Sequence, residues 1–547
     1  MNPADVGPAS ALEHVARRAP ATRSLVYDGV VTTAADLHVR TGALAAALAS
    51  GGVRAGDRVA YVGRNSPTLV TTLLACSHLG AIFVPVNFRL AAREVAGVLA
   101  DCDPHTVVAE PAHRVTVERA ASQLRVLRWL LVDSDPLALG EALDAALPAA
   151  SELPDPLPWV ALSTALTNGG PVPARVLCRA DDVALLVYTS GSAGLPKGVV
   201  LTHGNLWWSG ANVDLATDCR TGDVHLAVAP MFHIGGLNGF ALRTLARAGT
   251  LVIRRGFDAA QVLADVREHA ITTLFGVPAM YAAMAREPGF ADADLSGIRV
   301  ALIAGAPVPK KIIETYAERG LLVQQSWGMT ETAPAATCLP ITEVRSRPCS
   351  AGLPLPYTTL RLVDPRTGAD VDEPGRPGEI WVSGPNVCSG YWRNPTATAE
   401  AFVEPGWLRT GDVARRDEDG YYTICGRIKD MINSGGENIF PTEVERVLAE
   451  VPGVRDVAVI GVPDPVWGET VLAAVVCADG AELTLDALRA HAAQRLARYK
   501  LPTRLVVLDA LAHNGAGKVD KRALRTLLGA DVAQCAARPW LLGRPDC

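Results

Sequence analysis

Residues 188–199 read YTSGSAGLPKGV, where an apolar run gives way to hydroxyls, glycines and one lysine. Small residues let backbone N–H groups close on an anion, and Lys197 adds a positive charge, so the stretch can grip phosphate oxygens. It is not the loop G-x-x-x-x-G-K-[ST], which needs glycine where Pro196 stands and a hydroxyl where Gly198 stands. Taken alone it reads equally well as a Gly-rich structural turn. Other chemistry-bearing stretches follow in order: AGAP at 304–307, QSWGMTET at 325–332, WLRTGD at 407–412, GRIKDMINSGGENIFPTEVE at 426–445 and GKVDK at 517–521. Singly, Asp412 reads as a turn residue and Trp327 as core.

The elements that must position these stretches follow from periodicity. From Arg58 to Asp133 short apolar runs (RVAYVG, AIFVPV, TVVAE, VLRWLLV) alternate with helical patterns (TLVTTLLACSHLG, AAREVAGVLAD), which predicts crossover units on a mostly parallel sheet. The alternation resumes beyond the Pro-rich stretch near residue 152: VALLVY leads into the opening loop, and LAVAP, TLVI, TTLFGV, RVALIAG and LLVQQSWG follow. Past residue 355, TTLRLVD, GEIWVSG and GYYTICG are separated by turn signals, predicting a small, mostly antiparallel β region. From about residue 430 a compact α+β pattern appears (PTEVERVLAE, DVAVIGV, VLAAVVCA, TLDALRAHAAQRL, RLVVLD, KRALRTLL), and the last stretch, AARPWLLGRPDC, reads as an irregular tail. The expected fold class is therefore α/β: a large N-terminal domain of mostly parallel α/β subdomains plus a small β region, then a small α+β C-terminal domain.

A chain of 547 residues with 49% apolar and 20% charged residues exceeds one ordinary core and calls for at least two domains. A net charge of −6 with scattered arginines argues against a nucleic-acid surface. The start carries no basic segment followed by a long apolar run, and the most apolar window, LLACSHLGAIFVPV from Leu73, is short for a bilayer. Eleven cysteines lie between Cys76 and Cys547 without a C-x-x-C pair or a zinc-ligand cluster, so free thiols in a reducing compartment are expected. A cytoplasmic protein without an integral membrane segment is the resulting expectation.

The ordered series of motifs resembles the signature series of the adenylate-forming superfamily, which includes acyl-CoA synthetases, firefly-type luciferases and the adenylation domains of peptide synthetases. The resemblance runs from about residue 25 to 525. It implies ATP, Mg²⁺ and CoA, and it implies roles position by position. Thr189, Ser190, Gly191, Ser192, Gly194 and Lys197 would hold the phosphates. Glu331 would ligate Mg²⁺, with Thr189 as a second metal-side oxygen, and Thr330 would donate toward the α-phosphate; a hard oxygen ligand suits that ion. Trp327, Gly305 and Ala306 would frame the adenine. Asp412 would accept from the ribose hydroxyls, assisted by Arg427. Lys518 would reach the carboxylate and phosphate oxygens during adenylation, Lys429 would be the hinge, and Gly435 and Gly436 would flank the pantetheine arm of CoA. The implied domains are 1–428, a mobile 429–530, and a tail at 531–547. Two positions depart from the family pattern: Ala193 replaces a hydroxyl residue, and AHNGAGK before Lys518 lacks the usual proline.

His233, in PMFHIGGLN, falls on the family segment bordering the acyl pocket and would flank the acyl carboxylate. The segment Phe232–Gly236 holds no carboxylate to pair with a substrate ammonium, which disfavours an α-amino acid. The small residues from Gly235 to Gly239 suggest room for a bulky or long apolar acid, and VPVNFRLA at 84–91 resembles fatty-acyl-CoA synthetases. The expected reaction is activation of a bulky or medium-to-long-chain carboxylic acid to acyl-AMP, then thioesterification with CoA. Alternatives are a stand-alone acyl-AMP ligase loading a separate carrier protein, a member performing one half-reaction, and a degenerate acyl-nucleotide binding protein. A monomer or homodimer is expected.

Overall fold

Two helices of the chain have chemically legible ends. Ser66 accepts from the Leu69 amide ahead of Pro67, opening the buried helix Pro67–Leu79, and Gly80 closes it in the left-handed region. Thr202 and Asn205 form a reciprocal cap at the start of His203–Ala216. The structure, a computed structural model, describes residues 4–121, 128–132, 158–190, 196–434, 437–513 and 519–535. The chain forms two compact units: Met1–Thr359 with Val382–Leu408, and Leu360–Trp381 with Arg409–Cys547.

The first unit is built on two sheets. In one, among the described residues, seven strands run in the order Trp159–Ala161, Arg128–Leu131, Thr106–Ala109, Arg58–Val62, Ile82–Val86, Val183–Ser190 and Pro196–Thr202. All neighbouring pairs are parallel except the last, an antiparallel hairpin that places Thr189 opposite Lys197. The other sheet has nine strands, with Val323–Trp327, Val300–Ile303, Thr273–Gly276, Val224–Ala227, Thr250–Ile253 and Arg23–Tyr27 forming a parallel centre. Short antiparallel strands close it at both ends. The strands of this centre are almost wholly buried, which is why they read as continuous apolar runs rather than alternating ones.

The second unit carries a four-stranded sheet in the order Thr359–Val363, Pro377–Ser383, Leu408–Arg416, Tyr422–Arg427. It also carries a sheet centred on the long antiparallel pair Val454–Asp464 and Gly468–Cys477, packed by helices Pro441–Leu448, Leu485–Ala492 and Lys521–Cys535. The expected change from parallel α/β to β and then α+β is thus observed. WLRTGD belongs to a strand, and Asp412 is a paired strand residue rather than an isolated turn. Among the described residues, no helix is long and apolar enough to cross a membrane.

Candidate active site

Open parallel sheets bind ligands beyond the carboxyl ends of their strands. Four neighbouring strands of the nine-stranded sheet deliver their following loops to that one edge. Val323–Trp327 ends at Trp327 and leads to Glu331, Val300–Ile303 leads to Gly305 and Ala306, Thr273–Gly276 leads to Val277, and Val224–Ala227 leads to His233. Parallel register is what brings together residues some hundred positions apart in sequence.

Glu331 lies buried in the single 3₁₀ turn Thr330–Thr332. Two buried asparagine side chains clamp this turn. Asn386 Nδ2 donates to the carbonyls of Thr332 (3.1 Å) and Ala335 (2.9 Å), and Asn238 Nδ2 donates to that of Ala333 (2.7 Å). Asn386 Oδ1 in turn accepts from Thr358 Oγ1, which accepts from Asn212. Each of these amides is fully buried, so its bonds are strengthened by the low local dielectric and expensive to leave unmade.

The carboxylate itself meets Tyr391, whose Oη donates to Glu331 Oε1 at 2.8 Å. Lys197 Nζ sits 5.2 Å from the centre of the same ring. Burial, together with the Glu331 charge it faces and the hydrogen bond it donates, pushes the Tyr391 phenol far above its ordinary range, so it stays a donor. Lys197 and Glu331 are therefore brought to one residue from two different sheets of the same unit. The buried Glu331 carboxylate is one hard-oxygen donor of the kind a divalent cation of the Mg²⁺ type takes.

His233 caps the short helical segment Ile234–Gly236, which continues through a π-turn at Leu237–Ala241. Its ring packs on Phe232 at 4.3 Å, and Phe232 meets Phe88 edge-on at 5.4 Å. The segment before it is held by Asn65: Nδ2 donates to the Ala229 carbonyl at 2.9 Å, and Oδ1 accepts from the Met231 amide at 2.7 Å. The glycines here do different work from that expected of them. A Cβ on Gly236 would fall 2.4 Å from the Pro230 carbonyl oxygen, so this glycine permits close backbone approach rather than opening space. One on Gly235 would meet the Phe275 ring at 3.1 Å, while one on Gly239 would meet nothing within 4 Å. Phe275 and Phe240 belong to a buried apolar cluster with Ala229, Leu302, Ala335 and Cys338.

In the second unit, Asp412 and Arg427 are register partners on adjacent strands, and Arg427 Nε lies 2.8 Å from Asp412 Oδ1. Gly411 takes φ +70, a conformation a side chain would strain, and its amide donates to Glu379 Oε1 at 3.2 Å. Glu379 is buried and also accepts from Trp381 Nε1 (3.1 Å) and from Arg409. Lys429 is exposed on the 3₁₀ turn Ile428–Asp430, and Asp430 pairs with Arg525 at 3.2 Å.

The structure thus brings Trp327, Thr330, Glu331, Gly305, Ala306 and His233 to one sheet edge, joins Lys197 to Glu331 through Tyr391, and pairs Asp412 with Arg427. Thr189 lies on the hairpin opposite Lys197. Gly191, Ser192, Gly194, Gly435, Gly436 and Lys518 lie outside the described residues, as does the side chain of Ser190. Tyr391, Glu379, Asn65, Asn238 and Asn386 escape the sequence reading. The local signal for Asn386 and Tyr391 is a polar residue inside the Gly-rich run SGPNVCSGYW, whereas Asn65 sits between Arg64 and Ser66 with nothing to single it out.

Residues 12–392 match the model described as AMP-binding enzyme, and residues 443–518 match AMP-binding enzyme C-terminal domain. The chain is 44% identical over 514 residues to a feruloyl-CoA synthase of an Amycolatopsis species, covering 94% of this chain and 97% of the relative. It is 38% identical over 490 residues to indoleacetate–CoA ligase of Aromatoleum aromaticum, covering 89% and 91%. The solved o-succinylbenzoate CoA synthetase of Bacillus subtilis, in complex with its acyl-adenylate intermediate, superposes with a TM-score of 0.80 at 29% identity, covering 93% and 96%.

Proposed function

This chain belongs to the AMP-binding enzyme family, and from that premise we propose that it is an AMP-forming acyl-CoA ligase acting on an aryl-substituted or similarly bulky apolar carboxylic acid. The observation that carries the reading is the junction at Tyr391, which joins a lysine at a phosphate-loop hairpin to a buried carboxylate beside an apolar, carboxylate-free acyl segment. The feruloyl-CoA and indoleacetate relatives support the aryl class.

A carboxylate is a poor electrophile. Attack of its oxygen on the α-phosphorus of ATP forms an acyl–O–P bond as the bond to pyrophosphate breaks, which equips the acyl carbon with AMP as leaving group. The CoA thiol then attacks that carbon, losing its proton, and AMP departs. Both steps gather negative charge, so the protein must supply cations and oriented donors rather than a covalent nucleophile. Lys197 and Thr189 face the β- and γ-phosphates, Thr330 donates toward the α-phosphate, and His233 orients the acid. Glu331, with Thr189 beside it, would hold Mg²⁺, which would neutralise phosphate charge there. Trp327, Gly305 and Ala306 receive the adenine, and Asp412 with Arg427 receives the ribose hydroxyls. Lys518 serves adenylation from the C-terminal domain, which turns about Lys429 so that Gly435 and Gly436 flank the pantetheine arm.

The test is mass spectrometry of products from a panel of aryl and alkyl carboxylic acids with ATP and Mg²⁺, with and without CoA. Acyl-CoA with AMP supports the proposal. Acyl-AMP alone in both arms overturns CoA as acceptor in favour of a carrier protein, and no product from any acid overturns the enzymatic reading.

A further inference from the structure

Tyr391 stands at the meeting point of two groups that come from separate parts of the chain, and its backbone is anchored to both. On one side, Ser389–Trp392 pairs with the edge of Pro196–Thr202: the Val200 amide donates to the Gly390 carbonyl (3.0 Å), the Trp392 amide to that of Gly198 (2.7 Å), and Tyr391 bridges to Val199. On the other, the Cys388 amide donates to the Glu331 carbonyl at 2.7 Å. The Tyr391 amide is held by Thr398 Oγ1 at 3.0 Å, which fixes the residue itself. From this anchored position the ring offers its face to Lys197 Nζ and its hydroxyl to Glu331 Oε1.

A merely space-filling aromatic needs neither contact. A phenylalanine would pack the same volume and carry the ammonium, and only the hydroxyl fixes the direction of a carboxylate oxygen. Two opposite charges serving one nucleotide must also reach it from fixed directions instead of collapsing on one another, and a ring set against both does this.

Resting on the ligase reading above, we propose that Tyr391 is a positioning residue for acyl-adenylate formation: its hydroxyl orients the Glu331 carboxylate toward the nucleotide-bound divalent cation, and its ring face steadies the Lys197 ammonium.

The experiment compares the full-length protein with Tyr391→Phe and Tyr391→Leu. Mn²⁺ affinity is read by electron paramagnetic resonance in the presence of a non-hydrolysable ATP analogue. ATP–pyrophosphate exchange is followed against Mg²⁺ and ATP, and thiolation is measured from supplied acyl-AMP. Loss of one hydrogen bond to a charged acceptor predicts that Tyr391→Phe weakens Mn²⁺ binding, and raises half-saturating Mg²⁺, by about tenfold. Its KM for ATP stays within about twofold. Tyr391→Leu, which also removes the ring face, adds about a threefold rise in KM for ATP. Thiolation stays within about twofold in both. Unchanged Mn²⁺ affinity in Tyr391→Phe overturns the inference, as does thiolation falling in step with exchange, which marks a structural role. No exchange by the unsubstituted protein with any acid overturns the ligase reading itself, so the two failures are distinguishable.

Discussion

Glu379 is a buried carboxylate from which the strand segment leading into Asp412 hangs. Its Oε1 accepts the Gly411 amide, and its Oε2 accepts Trp381 Nε1 and the Arg409 guanidinium. Replacing it with glutamine preserves shape but puts two N–H donors where an oxygen accepted. Whichever way the amide turns, either Gly411 or the Trp381–Arg409 pair faces a donor. A hydrogen bond to a charged acceptor contributes about 1.5–3 kcal/mol, and a buried donor left unmade costs about 1–3 kcal/mol. Arg409 is 38% exposed, so water recovers part of its share. A net loss of about 2–3 kcal/mol remains, and the Gly411 side of it acts on the residue next to Asp412. If roughly half reaches ribose binding, Glu379→Gln raises KM for ATP about tenfold, at 1.4 kcal/mol per decade. The assay is pyrophosphate exchange with ATP and the acid varied in turn, beside the apparent unfolding midpoint. The expected pattern is a lower midpoint, a raised KM for ATP and an unchanged KM for the acid. A lowered midpoint with both KM values unchanged refutes the argument, because it would mean that the strand segment at Asp412 keeps its geometry without Glu379.

Three further outcomes are expected. Lys518→Ala abolishes acyl-AMP formation and leaves thiolation of supplied acyl-AMP largely intact; equal loss of both steps, measured side by side, removes the assigned role. Gly236→Ala forces its Cβ against the Pro230 carbonyl and displaces the turn bearing His233, so KM for the acid rises at least about tenfold while KM for ATP holds; overpacking of this kind costs about 1–3 kcal/mol. His225 is held well below its ordinary value, at about 4, mainly by burial, with a smaller opposing contribution from its hydrogen bond to Thr273. Between about pH 6.5 and 4 the unfolded chain therefore binds the proton that the folded chain refuses, and stability falls as pH falls through that window. His203, also lowered to about 4 by burial, acts in the same direction. Denaturant midpoints at pH 7 and pH 5 should differ less in His225→Gln than in the unsubstituted protein.

What the sequence discloses about this site and what it hides have separate physical causes. Strand ends followed by glycines and hydroxyls are local events, so the stretches at 304–307 and 325–332 could be placed at strand ends directly, and period distinguished the parallel body from the β and α+β regions; WLRTGD, whose Asp412 reads singly as a turn residue, instead runs into the strand Leu408–Arg416. The positions of Trp327, Glu331 and His233 relative to one another are fixed by strand order, and no local pattern encodes that the strand before Trp327 lies beside 300–303 while 250–253 crosses back to 23–27. The supporting polar residues are harder still to read. Asn65 acts 166 residues away on Met231, Asn386 acts 54 residues away on Thr332, and Tyr391 acts 60 residues away on Glu331. Asn65 stands in the polar run Arg64–Ser66, and Asn386 and Tyr391 in a glycine-rich stretch, and only the fold reveals which distant group each serves. The glycines of HIGG show the converse error, since small residues beside a pocket invite a reading in terms of space. Gly236 is small because a carbonyl oxygen occupies the place of its side chain, whereas the side-chain position of Gly239 meets nothing within 4 Å, so the two glycines of one short run are small for different physical reasons.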